Sequence, residues 1–172
     1  VITINGCTVS ATGIHGISGN RGITINRGTV TATCDVWGIF GYNVTINGGI
    51  VNATSGDKGI YAEETITLGW TDPTDRIYAS SYAINNEYGG AIKVKSGQTM
   101  TDGSAAYSET LNSDQIAAIG GKTLWSDLWG VASGNDGSTA EKAYTISDSW
   151  GLDQLAAQVN EGNNFNGKYF HL

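Results

Sequence analysis

Hydrophobic and polar residues alternate with a period of two in the first third of the chain, and the alternating segments recur at a regular interval. Three of them begin at Ile2, Ile23 and Val44, which are equally spaced, and a fourth begins at Ile66, after a slightly longer step. Alternation of this kind predicts β-strands with one buried face. A period of roughly 20 residues, with β-branched residues and glycines in every repeat, is typical of a solenoid.

Alignment of the repeats keeps apolar residues at some positions and polar residues at others. The apolar columns, expected to face inward, are Ile2/Ile23/Val44/Ile66, Ile4/Ile25/Ile46/Leu68, Val9/Val30/Val51 and Ala11/Ala32/Ala53. The columns expected to face outward are mostly Thr, Ser and Asn. This agreement predicts parallel strands stacked in register. We therefore expect an all-β protein, a right-handed parallel β-helix or solenoid with coils of about 21 residues.

An asparagine recurs at the corner between the first two strands of each repeat, at Asn5, Asn26 and Asn47. Stacked strands lie about 4.8 Å apart, so equivalent asparagine side chains can hydrogen-bond to each other from coil to coil. Asparagine also tolerates the backbone angles of a corner. We expect these three residues to form a structural ladder.

Aromatic residues cluster on a third strand of each repeat, where Ile17, Ile39 and Ile60 are expected to complete the core. The candidate ligand-binding residues are the aromatic ones on or beside its outward face, Trp37, Phe40, Tyr42 and Tyr61. Aromatic faces stack on sugar rings, and polar neighbours can bind the hydroxyls, so a glycan is the ligand that this pattern indicates. In the alternative interpretation, the same residues pack under loops or against the later part of the chain.

The periodicity weakens after Ile66, and two regions are predicted. Residues 1–132 would form the parallel β-helix with irregular later coils or a β-rich flank. Residues 133–172 would hold a linker and then a strand, a helix and a strand, as a cap or as the start of a further β-helix unit. A short helix is expected at 113–119, with Ser113 as N-cap. In the second helix, Leu152, Leu155, Ala156 and Val159 fall at the spacing of a buried face.

Charge and hydropathy exclude some partners. The formal net charge is −7 and charged residues make up only 15% of the chain. An acidic surface without a basic cluster argues against nucleic acid and anionic membranes as partners. The apolar runs are too short for membrane insertion.

Candidate catalytic and metal-binding groups are sparse. The two histidines, His15 and His171, are far apart in the sequence and have no recognisable nucleophile partner. Carbohydrate-cleaving β-helices need several carboxylates that converge across coils, whereas the outward columns hold Thr, Ser and Asn. We therefore assign no catalytic residue, no metal ligand and no cofactor. Asp72, Asp75 and Asp136 leave calcium as an alternative to ordinary turn chemistry.

Three segments follow the regular coils, at 66–81, 92–103 and 143–170, with sequences such as Ile66-Thr-Leu-Gly-Trp-Thr-Asp-Pro and Ile92-Lys-Val-Lys-Ser-Gly. Together with the Ile-Thr-Ile-Asn-Gly coils, they resemble the repeat-rich surface β-helix proteins of anaerobic and gut bacteria, including those associated with GLUG-type repeats. The resemblance implies an extracellular or cell-surface location. It implies no catalytic motif.

The sequence thus predicts a non-catalytic, secreted or cell-surface β-solenoid module of a bacterial adhesin-like protein, acting as a structural or adhesive platform. The alternative is a carbohydrate-binding or polysaccharide-cleaving β-helix. Expected partners are a glycan or another host or cell-surface ligand. Because Val1 and Leu172 both lie in predicted strands, end-to-end self-association or continuation in a longer chain is also expected.

Overall fold

Strands dominate the computed structural model, which describes residues 1–84 and 86–172. They make up 49% of the residues and are accompanied by two α-helices, which agrees with the predicted all-β class. The strands are β1 (Ile2–Gly19), β2 (Ile23–Ile46), β3 (Ile50–Ser55), β4 (Lys58–Leu68), β5 (Arg76–Ala79), β6 (Tyr82–Ile84), β7 (Ala91–Val94), β8 (Met100–Thr101), β9 (Ala106–Tyr107), β10 (Thr123–Ser126), β11 (Tyr144–Thr145) and β12 (Phe170–His171). The helices are α1 (Ser113–Ile119) and α2 (Ser149–Asn160).

Strands β1 to β10 form a single mixed sheet that curls into a half-barrel. Pairing among β1 to β7 is parallel. The later strands reverse this sense: β10 pairs antiparallel with β5 and with β8, and β8 pairs antiparallel with β9. Strands β11 and β12 form a separate parallel pair.

The parallel strands align the repeats as the sequence predicts. Ile2 lies opposite Ile23, and Ala32 lies opposite both Ala11 and Ala53. The columns also extend beyond the predicted members, since Ile77 continues the valine column from Val51. Further pairs of the same kind are Ala53 with Ala79, Ile66 with Ile92 and Leu68 with Val94.

The core is built from these inward columns. Ile25, Ile46 and Leu68 have no exposed surface, and burial of each such side chain contributes about 1.5–3 kcal/mol. Members of the first repeat, such as Ile2 and Val9, are only partly buried. Their lower burial follows from the position of β1 at an edge, where β2 is its partner among the described strands.

The predicted asparagine ladder is present at the corner of the first three repeats. Asn26 Nδ2 donates to Asn5 Oδ1 at 2.6 Å, and Asn47 Nδ2 donates to Asn26 Oδ1 at 2.8 Å. A Cβ on Gly48, the residue after Asn47, would lie 2.5 Å from a carboxylate oxygen of Asp75, so a larger residue there would displace this side chain. The ladder therefore continues into a tightly packed turn.

Replacement of Asn26 by alanine should lower the free energy of unfolding by about 1–3 kcal/mol, because it removes both ladder bonds and leaves two polar groups unpaired. Asn5→Ala is the matched control: it removes one bond at the exposed end of the ladder and should cost less. Urea unfolding followed by circular dichroism measures both. Equal losses for the two variants would contradict the ladder.

Helix α1 occupies the predicted residues, but the predicted N-cap residue is wrong. Asn112, rather than Ser113, caps the helix: its side chain accepts from the backbone N–H of Gln115, while the Gln115 side chain accepts from the N–H of Asn112. This reciprocal pair is a capping box. Helix α2 begins after Asp148, whose side chain accepts from the N–H of Gly151.

The predicted buried face of α2 is also wrong. Leu152 and Val159 are about half exposed, whereas Gln154 and Gln158 are buried. The reason is a polar contact: Gln154 Nε2 donates to the carbonyl and to the hydroxyl oxygen of Ser126, each at 2.7 Å. The helix therefore turns its amide side chains toward the sheet and leaves Leu152 and Val159 exposed, while Leu155, of the predicted face, packs partly buried against the Trp129 cluster.

Residues after 133 pack against the strands before them. Trp129 forms a second hydrophobic cluster with Tyr144 and Phe170, and its Nε1 donates to the carbonyl of Gly151 at 3.1 Å. The Tyr144 hydroxyl donates to the carbonyl of Gly103 at 3.2 Å. The division of the chain into two regions, 1–132 and 133–172, remains a prediction.

A buried carboxylate holds the turn between β8 and β9. The Asp102 side chain is 1% exposed and accepts from Lys122 Nζ at 2.6 Å and from the Tyr107 hydroxyl at 3.0 Å. Burial raises the pKa of Asp102, but these bonds and the backbone N–H groups of Ser104 and Ala105 outweigh it, so the pKa lies below its usual value. Burial and the neighbouring carboxylate raise the pKa of Tyr107 to about 12.

Because the folded-state pKa of Asp102 is lowered, its contribution to stability is present above the unfolded-state pKa near 4 and is lost as pH falls through the lower, folded-state value. Asp102→Asn should cost about 2 kcal/mol at pH 7, and the difference from the wild type should shrink below about pH 4. Urea unfolding of both proteins at several pH values measures this difference in the free energy of unfolding. Asp153→Asn, at an exposed position, should show neither effect; a pH-independent cost for Asp102→Asn would refute this role.

Candidate functional site

Four side chains form an aromatic surface on the outward face of the third strand of each repeat. This aromatic platform consists of His15, Trp37, Phe40 and Tyr61. Register explains its assembly, because His15 lies opposite Trp37 across β1 and β2, and Phe40 lies opposite Tyr61 across β2 and β4. Equivalent positions of successive repeats therefore place the rings side by side.

Ring geometry in the platform is that of stacked aromatic pairs. The centroids of Phe40 and Tyr61 lie 5.3 Å apart with an interplanar angle of 14°, and those of His15 and Trp37 lie 4.8 Å apart at 28°. Trp37 connects the two pairs, with centroids 4.7 Å from Phe40 and 5.6 Å from Tyr61. These distances fall in the range favourable for aromatic pairs.

A column of glycines beneath the platform fixes how closely the repeats approach. A Cβ on Gly16 would lie 2.3 Å from the carbonyl oxygen of Gly38, and a Cβ on Gly38 would lie 2.6 Å from that of Gly59. Both contacts are too short for any side chain, so glycine is required at Gly16 and Gly38. Ile39 and Ile60, fully buried, anchor the same strands from the inner side.

The outer surface of the platform remains accessible to solvent. His15 is exposed, and Trp37, Phe40 and Tyr61 are partly exposed. A cation borders it: Lys58 Nζ lies 5.4 Å from the centroid of Tyr61 and 3.1 Å from a carboxylate oxygen of Asp57. The site is thus a row of rings with one charged pair at its margin.

Three of the four predicted ligand-binding residues come together in this platform, and the fourth has another neighbour. Tyr42 packs edge-on against Tyr88, with ring centroids 6.1 Å apart. That contact matches the alternative interpretation, in which aromatic residues pack against the later chain. His15 and Lys58 were missing from the predicted site, although their position in the same column as Trp37 is visible in the sequence alignment of the repeats.

The platform combines exposed aromatic faces with polar groups nearby. Aromatic faces carry partial negative charge and attract the weakly positive C–H groups on one side of a pyranose ring. Asn43 and Glu64, hydrogen-bonded to each other at 2.9 Å, supply amide and carboxylate groups on β2 and β4, and Asp57 adds a carboxylate just before β4. Stacking together with a few polar contacts fits a neutral or weakly charged saccharide.

The carboxylates considered for calcium serve as acceptors within turns. Asp75 Oδ2 accepts from the N–H groups of Thr71 at 2.7 Å and Asp72 at 2.9 Å. Asp72 Oδ1 accepts from Thr74, and Asp136 Oδ1 accepts from the N–H of Ser138. Within residues 1–84 and 86–172, no three or more His, Cys, Asp or Glu side chains group as metal ligands would.

Comparisons with protein-family models, with curated proteins and with solved structures found no match to this chain. The resemblance to bacterial surface proteins therefore stays a prediction. In the part of the chain that the structure describes, neither α-helix combines the length and the hydropathy needed to cross a membrane.

Proposed function

We propose that this protein is a non-catalytic adhesive module that binds a glycan through the aromatic platform. The observation that carries the proposal is the continuous contact of four rings across three repeats, His15 to Trp37 to Phe40 to Tyr61, on an outward face. Aromatic side chains that stack in the open, with only partial burial, are typical of surfaces that recognise ligands. A structural role alone would favour their burial in the core.

The scaffold that we propose for this platform is a right-handed parallel β-helix, flanked by the antiparallel strands β8 to β10. Its support is the parallel pairing of equivalent residues of successive repeats, seen for Ile2 with Ile23 and for Val44 with Ile66. Right-handed winding follows from the general preference of parallel crossover connections. A scaffold of this kind presents equivalent side chains about 4.8 Å apart, which suits an extended ligand.

The proposed setting is the outer surface or the surroundings of a bacterial cell. It rests on the resemblance described above and on a surface rich in Thr, Ser and Asn. A cleaving enzyme is less well supported, because two of the carboxylates near the platform already have partners: Asp57 pairs with Lys58, and Glu64 accepts from Asn43.

Trp37→Ala should lower glycan affinity about tenfold or more, because Trp37 contacts the three other rings and aromatic residues at the centre of a binding surface contribute about 2 kcal/mol or more. A glycan array identifies the ligand, and isothermal titration calorimetry measures its affinity for each variant. Tyr42→Ala is the matched control: it removes a ring of the same strand outside the platform and should leave the affinity unchanged.

Two outcomes would refute the proposed function. One is that the wild-type protein binds no glycan on a broad array. The other is that Trp37→Ala and Tyr42→Ala bind the identified glycan as tightly as the wild type while circular dichroism shows that both are folded.

End-to-end association is a second proposal, and the edge of β1 is the surface that favours it. Ile2, Val9 and Ala11 end the inward columns there and are only partly buried. The strand Phe170–His171 pairs with β11, outside the sheet that contains β1, so contact between β1 edges fits better than contact between Val1 and Leu172. Sedimentation velocity at rising concentration should show a dimer, and a monomer throughout would refute it.

A further inference from the structure

Positive charge is concentrated on a different part of the stack from the aromatic platform. Two adjoining depressions, with volumes of about 730 and 570 Å³, share Lys95 as a lining residue. Lys93 lines the first and Arg27 lines the second. We call this surface, with Arg27, Lys93 and Lys95 as its three cations, the cationic groove.

The three cations of the groove have no ionic partner among the described residues. Ion pairs in this part of the chain involve Lys58, Arg76 and Lys122 instead. Two carboxylates, Asp72 and Glu109, also line the depressions, and Asp72 accepts hydrogen bonds from the backbone and hydroxyl groups of Thr74. At its surface the groove therefore carries three cations against two carboxylates, and a third carboxylate, Asp75, is buried next to it, where it accepts from the backbone N–H groups of Thr71 and Asp72.

The aliphatic parts of two cations lie close over glycines. The Arg27 side chain lies over Gly6, where a Cβ would come within 3.3 Å of Arg27 Cγ and Cδ. The Lys95 side chain lies over Gly69, where a Cβ would be 3.2 Å from Lys95 Cβ and Cδ. Such packing orders the stems while the charged ends can reach solvent.

The groove crosses several repeats. Its lining includes Asn26 of the second repeat, Asn47 of the third, Thr71 after the fourth and Lys95 after β7. Three steps of about 4.8 Å give a span of roughly 14 Å, which exceeds the size of a single small anion. Lys93 and Lys95, two residues apart along an extended chain, are separated by about 7 Å. Charges distributed in this way match a polymer with repeated anionic groups.

Hydroxyl and amide groups make up much of the remaining lining, including Thr67, Ser96 and Ser108 in the first depression and the amides of the asparagine ladder in the second. These groups suit the hydroxyls of a sugar chain. A bound peptide would normally use an apolar groove or a free strand edge. We propose that the cationic groove binds an acidic polysaccharide, with carboxylate or sulfate groups placed against Arg27, Lys93 and Lys95.

The test compares dextran sulfate with uncharged dextran of the same length, and polygalacturonate as the carboxylated polymer, by isothermal titration calorimetry at low salt. The protein should bind one or both acidic polymers and not dextran, and its affinity should fall as salt rises. The acidic polymer that binds more tightly shows whether the groove prefers sulfate or carboxylate groups. Failure to bind either acidic polymer would overturn the proposal.

Lys93→Gln/Lys95→Gln should weaken this binding roughly four- to twenty-five-fold, two- to fivefold for each cation removed, and Arg27→Gln should weaken it further. Lys142→Gln, which removes one exposed lysine elsewhere, should have little effect. Equal affinity of the double variant and the wild type, or equal loss in Lys142→Gln, would overturn the proposal. So would tighter binding of polyglutamate than of either acidic polysaccharide, since that result would indicate a peptide ligand.

Trp37→Ala separates this site from the aromatic platform, because it should leave acidic-polymer binding intact. Retained binding in Trp37→Ala together with loss in Lys93→Gln/Lys95→Gln supports the groove whether or not the platform binds a glycan. Loss of acidic-polymer binding in Trp37→Ala alone would assign the polymer to the platform and contradict the groove.

Discussion

Burial of equivalent apolar side chains, one repeat above the next, is the interaction on which the rest of this structure depends. Each parallel strand satisfies its backbone hydrogen bonds with its neighbours only when its alternating side chains keep the same face inward. Ile25, Ile46 and Leu68 are buried completely for this reason. A slip by a single position would expose them and bury the threonines instead.

Both proposed binding surfaces follow from that register. The aromatic platform exists because the positions of Phe40 and Tyr61 are equivalent and face outward, so their rings must lie together once the strands pair. The cationic groove arises similarly, since Lys93 lies opposite Thr67 at the end of an outward threonine column. The aromatic platform needs no loop to bring its rings together, whereas the groove also uses residues that follow strands, such as Lys95 after β7. Rigid presentation lowers the entropy cost of binding an extended ligand.

Much of the parallel part was predictable from the sequence, because the repeat itself reports which residues are equivalent. The inward columns, the asparagine ladder and the ring positions of Trp37, Phe40 and Tyr61 all followed from alignment of the repeats. Tyr42 lies after an irregularity in the pairing of β2 with β4, and its neighbour Tyr88 lies outside the repeats. No repeat could indicate that contact.

The later part of the chain was predicted less well, since its contacts join residues with no periodic relation. Helical spacing indicated a buried Leu152 and Val159, but the hydrogen bonds of Gln154 to Ser126 orient α2 the other way. The contact between Asp102 and Lys122 likewise joins two residues that no repeat relates. For the cationic groove, the sequence showed the lysines but not their approach to Arg27, which lies several repeats earlier in the chain.

The register of the repeats can be tested directly by nuclear magnetic resonance on a sample labelled at the methyl groups of isoleucine and threonine. With equivalent residues stacked about 4.8 Å apart, through-space contacts should connect Ile4 with Ile25 and Ile25 with Ile46, and the contact between Ile4 and Ile46 should be weak or absent. Loss of the first two contacts, or contacts of Ile25 with threonine positions instead, would contradict the stacked arrangement and with it both proposed surfaces.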